Sequence, residues 1–282
     1  MSTATEKTIE SVDNLVVHYQ QTWDQEMDGG WVVLHPGSSM DGRFLEQLSY
    51  EMNQRHHPTI VLDPRGTGAS AAPAKSEYYP LDRYADDLAR IVAQEGLEYP
   101  VLVGHSMGFM PIVDYAAQTY NAEMVLGICA SHNFRETSGS RWLPLLDSTP
   151  ARYAMELYGY VANRFGSRSS EDRLSSPRSE YDVFLAITDV PLGQLKNHVV
   201  SGQEIMKWDI AKQLEQLIAQ CIPVSALQAG DDALVREDRS ILSCLGVSVV
   251  RYEEGPHALP LIHPDSAAAW ISDQMMVQRI HR

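Results

Sequence analysis

The chain has 282 residues, a formal net charge of −15 and 44% hydrophobic residues. That length suits one large domain or two small ones, with a sizeable core that needs no covalent staples. The acidic balance argues against nucleic acid or an anionic membrane surface as a partner, and the three cysteines, Cys129, Cys221 and Cys244, lack the spacing of a disulfide framework or a zinc site.

The opening residues, MSTATEKTIE, are polar and hold no apolar segment of the secretory kind. No later stretch is long and apolar enough to span a membrane, so a cytoplasmic protein is expected. Cys129 and Cys221 lie in or beside apolar runs and read as core residues.

Along the chain, short apolar runs alternate with amphipathic segments. Residues 14–21 read as a strand, and 31–37 as a buried strand ending in Pro36-Gly37. Residues 42–55 carry apolar side chains at helical spacing, and 59–70 form a strand entering a glycine-rich loop. Residues 81–96 are an amphipathic helix stopped at Gly96. A strand at 99–106, a helix at 107–120 with Pro111 in its first turn, and a strand at 123–131 follow. Strand, helix, strand in this rhythm predicts right-handed crossovers and a mostly parallel sheet with helices on both faces, an α/β architecture.

The pattern breaks between about 133 and 207, where polar, turn-rich stretches flank helical segments at 150–165 and 180–190. It then resumes. Residues 210–220 read as a helix, 222–232 as a strand and turn, 236–246 as a helix, 247–257 as a strand and loop, and 263–280 as a closing helix. The expected division is a core of residues 1–133 and 208–282, interrupted by a helical cap at 134–207.

One stretch carries chemistry. Gly104-His105-Ser106-Met107-Gly108 falls directly after an apolar strand and directly before a helix. That is the setting a nucleophile elbow requires: a turn so tight that the serine takes a strained conformation while flanking glycines avoid steric clashes. A serine hydroxyl needs a base. In such sheets the acid follows the serine in sequence and the histidine comes last. Asp231 and Asp232 end a late strand, and His257 lies in the loop after the next one. Carboxyl ends of parallel strands share one edge, so all three converge there.

With these residues in view, the chain resembles the α/β-hydrolase superfamily, in the capped branch that holds esterases, epoxide hydrolases and C–C hydrolases. The resemblance runs from about residue 14 to the end. It rests on His35-Pro36-Gly37, on Asp63-Pro64-Arg65-Gly66-Thr67-Gly68-Ala69-Ser70, on the elbow, on Asp232 and on His257. It implies Ser106 as nucleophile, His257 as general base and then acid, and Asp232 as the orienting acid. Relatives often read Gly-x-x-Asp after this strand; here Ala229 stands for the glycine, so Asp231 stays open as the alternative. The family's other acid position, after the strand at 123–131, offers Ser131-His132-Asn133 and no carboxylate.

The resemblance also implies an oxyanion hole from the backbone N–H of Met107 and of a residue after the strand at 31–37. Pro36 has no N–H, which favours Ser38, with Ser39 as the alternative. The expected activity is hydrolysis of a carboxylic ester or related acyl bond in a small substrate, with no cofactor or metal. The same triad also serves lactone, thioester, amide or C–C cleavage and perhydrolysis, and the fold can serve as a ligand receptor. A serine at the elbow disfavours the epoxide-hydrolase and dehalogenase branches, where an aspartate is typical. His35, Trp142 and Phe184 are candidate substrate contacts, and Arg65, Lys75 or Arg135 a candidate carboxylate anchor. His35 also reads as a brace of its turn, His105 as packing against neighbouring loops, Asp63 and Arg65 as ties within their loop, and His56-His57 as an exposed pair.

Overall fold

In the computed structural model, residues 3–133, 195–232, 235, 238–253 and 255–280 are described. Eight strands form one sheet: β1 (Thr3–Glu10), β2 (Val16–Trp23), β3 (Val32–His35), β4 (Thr59–Asp63), β5 (Val101–His105), β6 (Met124–Ile128), β7 (Val224–Ala229) and β8 (Ser248–Tyr252). Their order is β1-β2-β4-β3-β5-β6-β7-β8. β2 runs antiparallel to both of its neighbours, and β3 through β8 pair in parallel. The helices are α1 (Glu46–Gln54), α2 (Leu81–Gln94), α3 (Phe109–Thr119), α4 (Leu195–Ile205), α5 (Ala211–Ala219), α6 (Asp238–Cys244), α7 (Leu259–Ile262) and α8 (Pro264–Ile280).

Strands buried on both faces explain the unbroken apolar runs. Val33, Ile60, Leu102 and Val125 point to one face and pack with Leu88 and Ile91 of α2, Ile112 of α3 and Leu214 of α5. Their chain neighbours Val32, Leu34, Val61, Val103 and Leu126 point to the other face, against Leu48 and Met52 of α1 and Ile271 of α8. This is the period-2 alternation of a strand feeding two separate core layers. Each fully buried aliphatic side chain contributes roughly 1.5–3 kcal/mol, so the sheet's centre carries much of the fold's stability.

The chain leaves β3 for β4 on one side and then crosses to β5 on the other. That reversal falls between β3 and β5, whose carboxyl ends are the usual position of a site in an open α/β sheet. Between β6 and β7 lies a long insertion, whose described end is helix α4. The expected helices at 150–165 and 180–190 lie outside the described residues.

Four details differ from the sequence reading. Strand β1 is formed by a segment read only as polar; it is an edge strand whose buried side chain is Ile9, so it lacks an apolar signal. Residues 42–55 split into a 3-10 turn, Gly42–Leu45, capped by the Asp41 side chain, and α1. Cys221 is exposed, because it sits at φ +58° in the turn between α5 and β7 rather than in the strand. His57 is buried, with its ring against Gly29 and Gly30, and only His56 faces solvent.

Candidate active site

Strand β5 ends at His105, and a single 3-10 turn, Ser106–Gly108, leads into α3. Ser106 sits at φ +51°, a conformation that costs a non-glycine residue on the order of 1–3 kcal/mol. The flanking glycines are explained by close approach. A Cβ on Gly104 would stand 2.4 Å from the Phe109 nitrogen, and one on Gly108 would stand 2.3 Å from the His35 carbonyl oxygen. Neither neighbour is a flexible side-chain tip, so the elbow closes only with glycine at both places.

The other two groups arrive from the far side of the sheet. Asp232 lies just past β7, and His257 lies in the loop between β8 and α7. The Nδ1–H of His257 donates to Asp232 Oδ2 at 2.7 Å, and the Ser106 hydroxyl donates to His257 Nε2 at 2.9 Å. Those two bonds fix the tautomer, with the bare nitrogen facing the serine. Asp232 is 1% exposed, and its Oδ1 accepts the backbone N–H of Val235 at 3.2 Å. Asp231, the alternative, points elsewhere. Its carboxylate accepts the Gly255 N–H and its own N–H donates to the Gly255 carbonyl, both at 3.2 Å. Asp231 therefore ties down the loop that carries His257, and Asp232 orients the ring. This is the geometry of a serine-hydrolase triad: nucleophile, base and orienting acid in a relay of hydrogen bonds.

Cys129 follows β6 at φ +50° and is fully buried. Its Sγ, an Asp232 oxygen and a His257 ring nitrogen all lie within 4.8 Å of one another, close enough to share a metal ion. Burial, and secondarily the Asp232 charge, push the thiol well above its usual pKa, so it is a neutral thiol beside the acid. Asp232 and His257 are meanwhile engaged with each other.

The turn after β3 closes against the elbow: a Cβ on Gly37 would come within 3.2 Å of the Ser106 Cβ. His35 is 1% exposed, and its Nδ1–H donates to the Pro36 carbonyl at 2.8 Å. Burial lowers its pKa to about 4. His105 packs at 4.7 Å from Phe44 and 5.0 Å from the His257 ring, ring centre to ring centre. Its Nε2–H donates to the main-chain carbonyl of His257 at 2.9 Å. Asp63 holds its loop as expected, accepting from the N–H groups of Gly42 at 2.7 Å and Ala69 at 2.8 Å.

Arg65 is entirely buried, its guanidinium donating to both oxygens of Asp87 at 2.7 Å and to Asp13 at 2.8 Å. With its donors committed to these carboxylates and to the Tyr78 carbonyl, it braces the structure rather than reaching for substrate. Lys75 is exposed beside Glu77. Trp142, Phe184 and Arg135 lie outside the described residues. Two features escaped the sequence reading: the tie from Asp231 to Gly255 and the bond from His105 to His257. Both join residues far apart in the chain, and no local pattern signals them.

A family model described as the alpha/beta hydrolase fold matches residues 30–263. Among solved structures, a protein assigned as an aryl esterase from Burkholderia cenocepacia is 20% identical with a TM-score of 0.75, covering 99% of this chain and 100% of that one. The enol-lactonase from Burkholderia xenovorans is 16% identical with a TM-score of 0.74, covering 96% and 100%. An esterase from Exiguobacterium antarcticum is 17% identical with a TM-score of 0.74, covering 95% and 98%. At these identities the likeness is one of fold.

Proposed function

Because this chain belongs to the α/β-hydrolase fold family, we propose that it hydrolyses a carboxylic ester of modest size through an acyl-enzyme on Ser106. The observation that carries this reading is the pair of hydrogen bonds running from Ser106 through His257 to Asp232.

The Ser106 Oγ attacks the acyl carbon while its proton passes to His257 Nε2. Asp232 stabilises the imidazolium that forms and holds its orientation. The tetrahedral intermediate collapses, the leaving alcohol takes the proton from His257, and the acyl group stays on Ser106. Water then yields a proton to His257 and attacks the ester, releasing the acid and restoring the serine. Protein groups alone carry every step. Lactone opening follows the same path with the leaving alcohol still tethered to the acyl group.

The developing oxyanion is assigned to the N–H groups of Met107 and Ser38, with Ser39 as the alternative to Ser38. Met107 lies in the first turn after β5, where helical N–H groups have no acceptor within the helix, which supports its assignment. The approach of the Gly37 turn to Ser106 supports a second donor from that turn.

The domain division is assigned at 133/134 and 207/208. Its support is a stitch between the two ends of the insertion: Asn133 Nδ2 donates to Asp209 at 3.0 Å, and the Ile210 N–H to the His132 carbonyl at 3.1 Å. Substrate contacts are assigned to Trp142 and Phe184, while His35, 1% exposed and bonded to the Pro36 carbonyl, braces its turn and does not face a substrate. Among the described residues, no helix is long and apolar enough to cross a membrane. Three free cysteines support a reducing, cytoplasmic setting.

The test is steady-state hydrolysis of 4-nitrophenyl esters, acetate through decanoate, by the wild-type protein and Ser106→Ala. Multiple turnovers by wild type, with a loss of several orders of magnitude in the variant, support the reading. Equal rates in both overturn ester hydrolysis at Ser106, and a single turnover with slow release favours a binding role on the same fold.

A further inference from the structure

We propose that His105 is a positioning residue, whose Nε2–H holds the main chain of His257 and so sets the base against the nucleophile. This rests on the serine-hydrolase reading above.

The bond's direction is fixed by chemistry. A carbonyl oxygen only accepts, so the proton must sit on Nε2 of His105. A neutral imidazole has a single N–H, which leaves Nδ1 bare. The structure agrees, since Nδ1 is buried and meets no hydrogen-bond partner among the described residues. A second proton there would be an orphan donor in a site 1% exposed. Burial accordingly lowers the pKa to about 3, so the ring is neutral near pH 7, and the bond to the His257 carbonyl selects the tautomer.

The ring itself has little room to turn. Phe44 packs against it at 4.7 Å, the His257 ring at 5.0 Å, and a Cβ on Gly37 would lie 3.0 Å from its Nδ1. His105 is joined to Ser106 by one peptide bond, and its side chain grips a residue 152 positions away. The nucleophile and the backbone of its base are therefore coupled through one rigid ring. Asp232 sets the orientation of the imidazole, and His105 sets where that imidazole is anchored.

The experiment compares wild type with His105→Phe, which keeps an aromatic ring and removes the donor, and His105→Gln, which returns a donor near the Nε2 position. The readouts are the rate constant for labelling Ser106 by a fluorophosphonate, kcat and KM for a 4-nitrophenyl ester, and the melting temperature. His105→Phe is expected to label Ser106 and turn over about tenfold more slowly, the typical effect of one lost buried hydrogen bond, with KM little changed. His105→Gln recovers most of that loss. Should His105→Phe not fold, His105→Asn, whose shorter amide cannot reach the carbonyl, takes its place against His105→Gln.

Labelling and turnover of the donor-less variant at the wild-type rate would overturn the proposal. So would a glutamine variant as slow as the phenylalanine one, because the ring and not the donor would then matter. If wild-type Ser106 is not labelled at all, the serine-hydrolase reading itself falls, and this inference falls with it.

Discussion

The Ser106 hydroxyl donates to Nε2 of His257 across 2.9 Å, from a serine whose backbone sits at φ +51°. Strain and function share one residue. Ser106→Gly relieves the strain and deletes the nucleophile, so the expected result is a protein more stable by about 1 kcal/mol and inactive. A denaturant melt checks the first half and an ester assay the second.

The two neighbouring aspartates separate cleanly. Asp232→Asn preserves shape but no longer holds the Nδ1 proton, so kcat should fall by about 10³–10⁴ with the fold intact. Asp231→Asn weakens only the tie to Gly255, and a loss below about tenfold is expected. Measured kcat values for the pair decide which carboxylate is the acid.

Arg65 is a stability residue. Its side chain is 0% exposed, and Asp87, its main partner, is 4% exposed. Removing one member of such a pair strands a buried charge, so Arg65→Ala should cost about 3–5 kcal/mol. Replacing Arg65 and Asp87 together by apolar residues should cost less than the sum of the single changes, as a double-mutant cycle in urea would show.

Acid should weaken the fold through two histidines. His35 and His105 have pKa values lowered by burial from 6.5 to about 4 and about 3. Below pH 6.5 the unfolded chain takes up protons that the folded protein refuses, so stability falls as pH falls. The loss runs at about 1.4 kcal/mol per pH unit for each histidine and levels off once pH passes below the folded value. Unfolding free energies between pH 7 and pH 4 measure that slope. His35→Gln should reduce it.

Much of this molecule was legible in its sequence because its central strands, β3 to β7, are buried on both faces. Runs such as the one ending at His105 have no other soluble reading, and the glycines around Ser106 mark a turn that nothing larger fits. The edge strand β1 was not legible, since its partner β2 supplies the order and most of its own side chains other than Ile9 face water. The resemblance already favoured Asp232, and setting Asp231 aside needed the path of the β7 turn, which brings the Asp231 carboxylate to Gly255 and that of Asp232 to His257. Cys221 read as core because its apolar neighbours are; the positive φ that turns it outward has no composition signature. His105 was legible only as a packed ring, because its partner is a main-chain carbonyl supplied by the loop after β8.

The most direct measurement is intact-mass spectrometry of the protein quenched during turnover of 4-nitrophenyl acetate, followed by peptide mapping. The expected result is one acetyl group, on the peptide that holds Ser106, in wild type and longer-lived in His257→Ala once formed. An acetyl group on any other residue, or turnover with none trapped under acid quench in either protein, would contradict a covalent mechanism at Ser106.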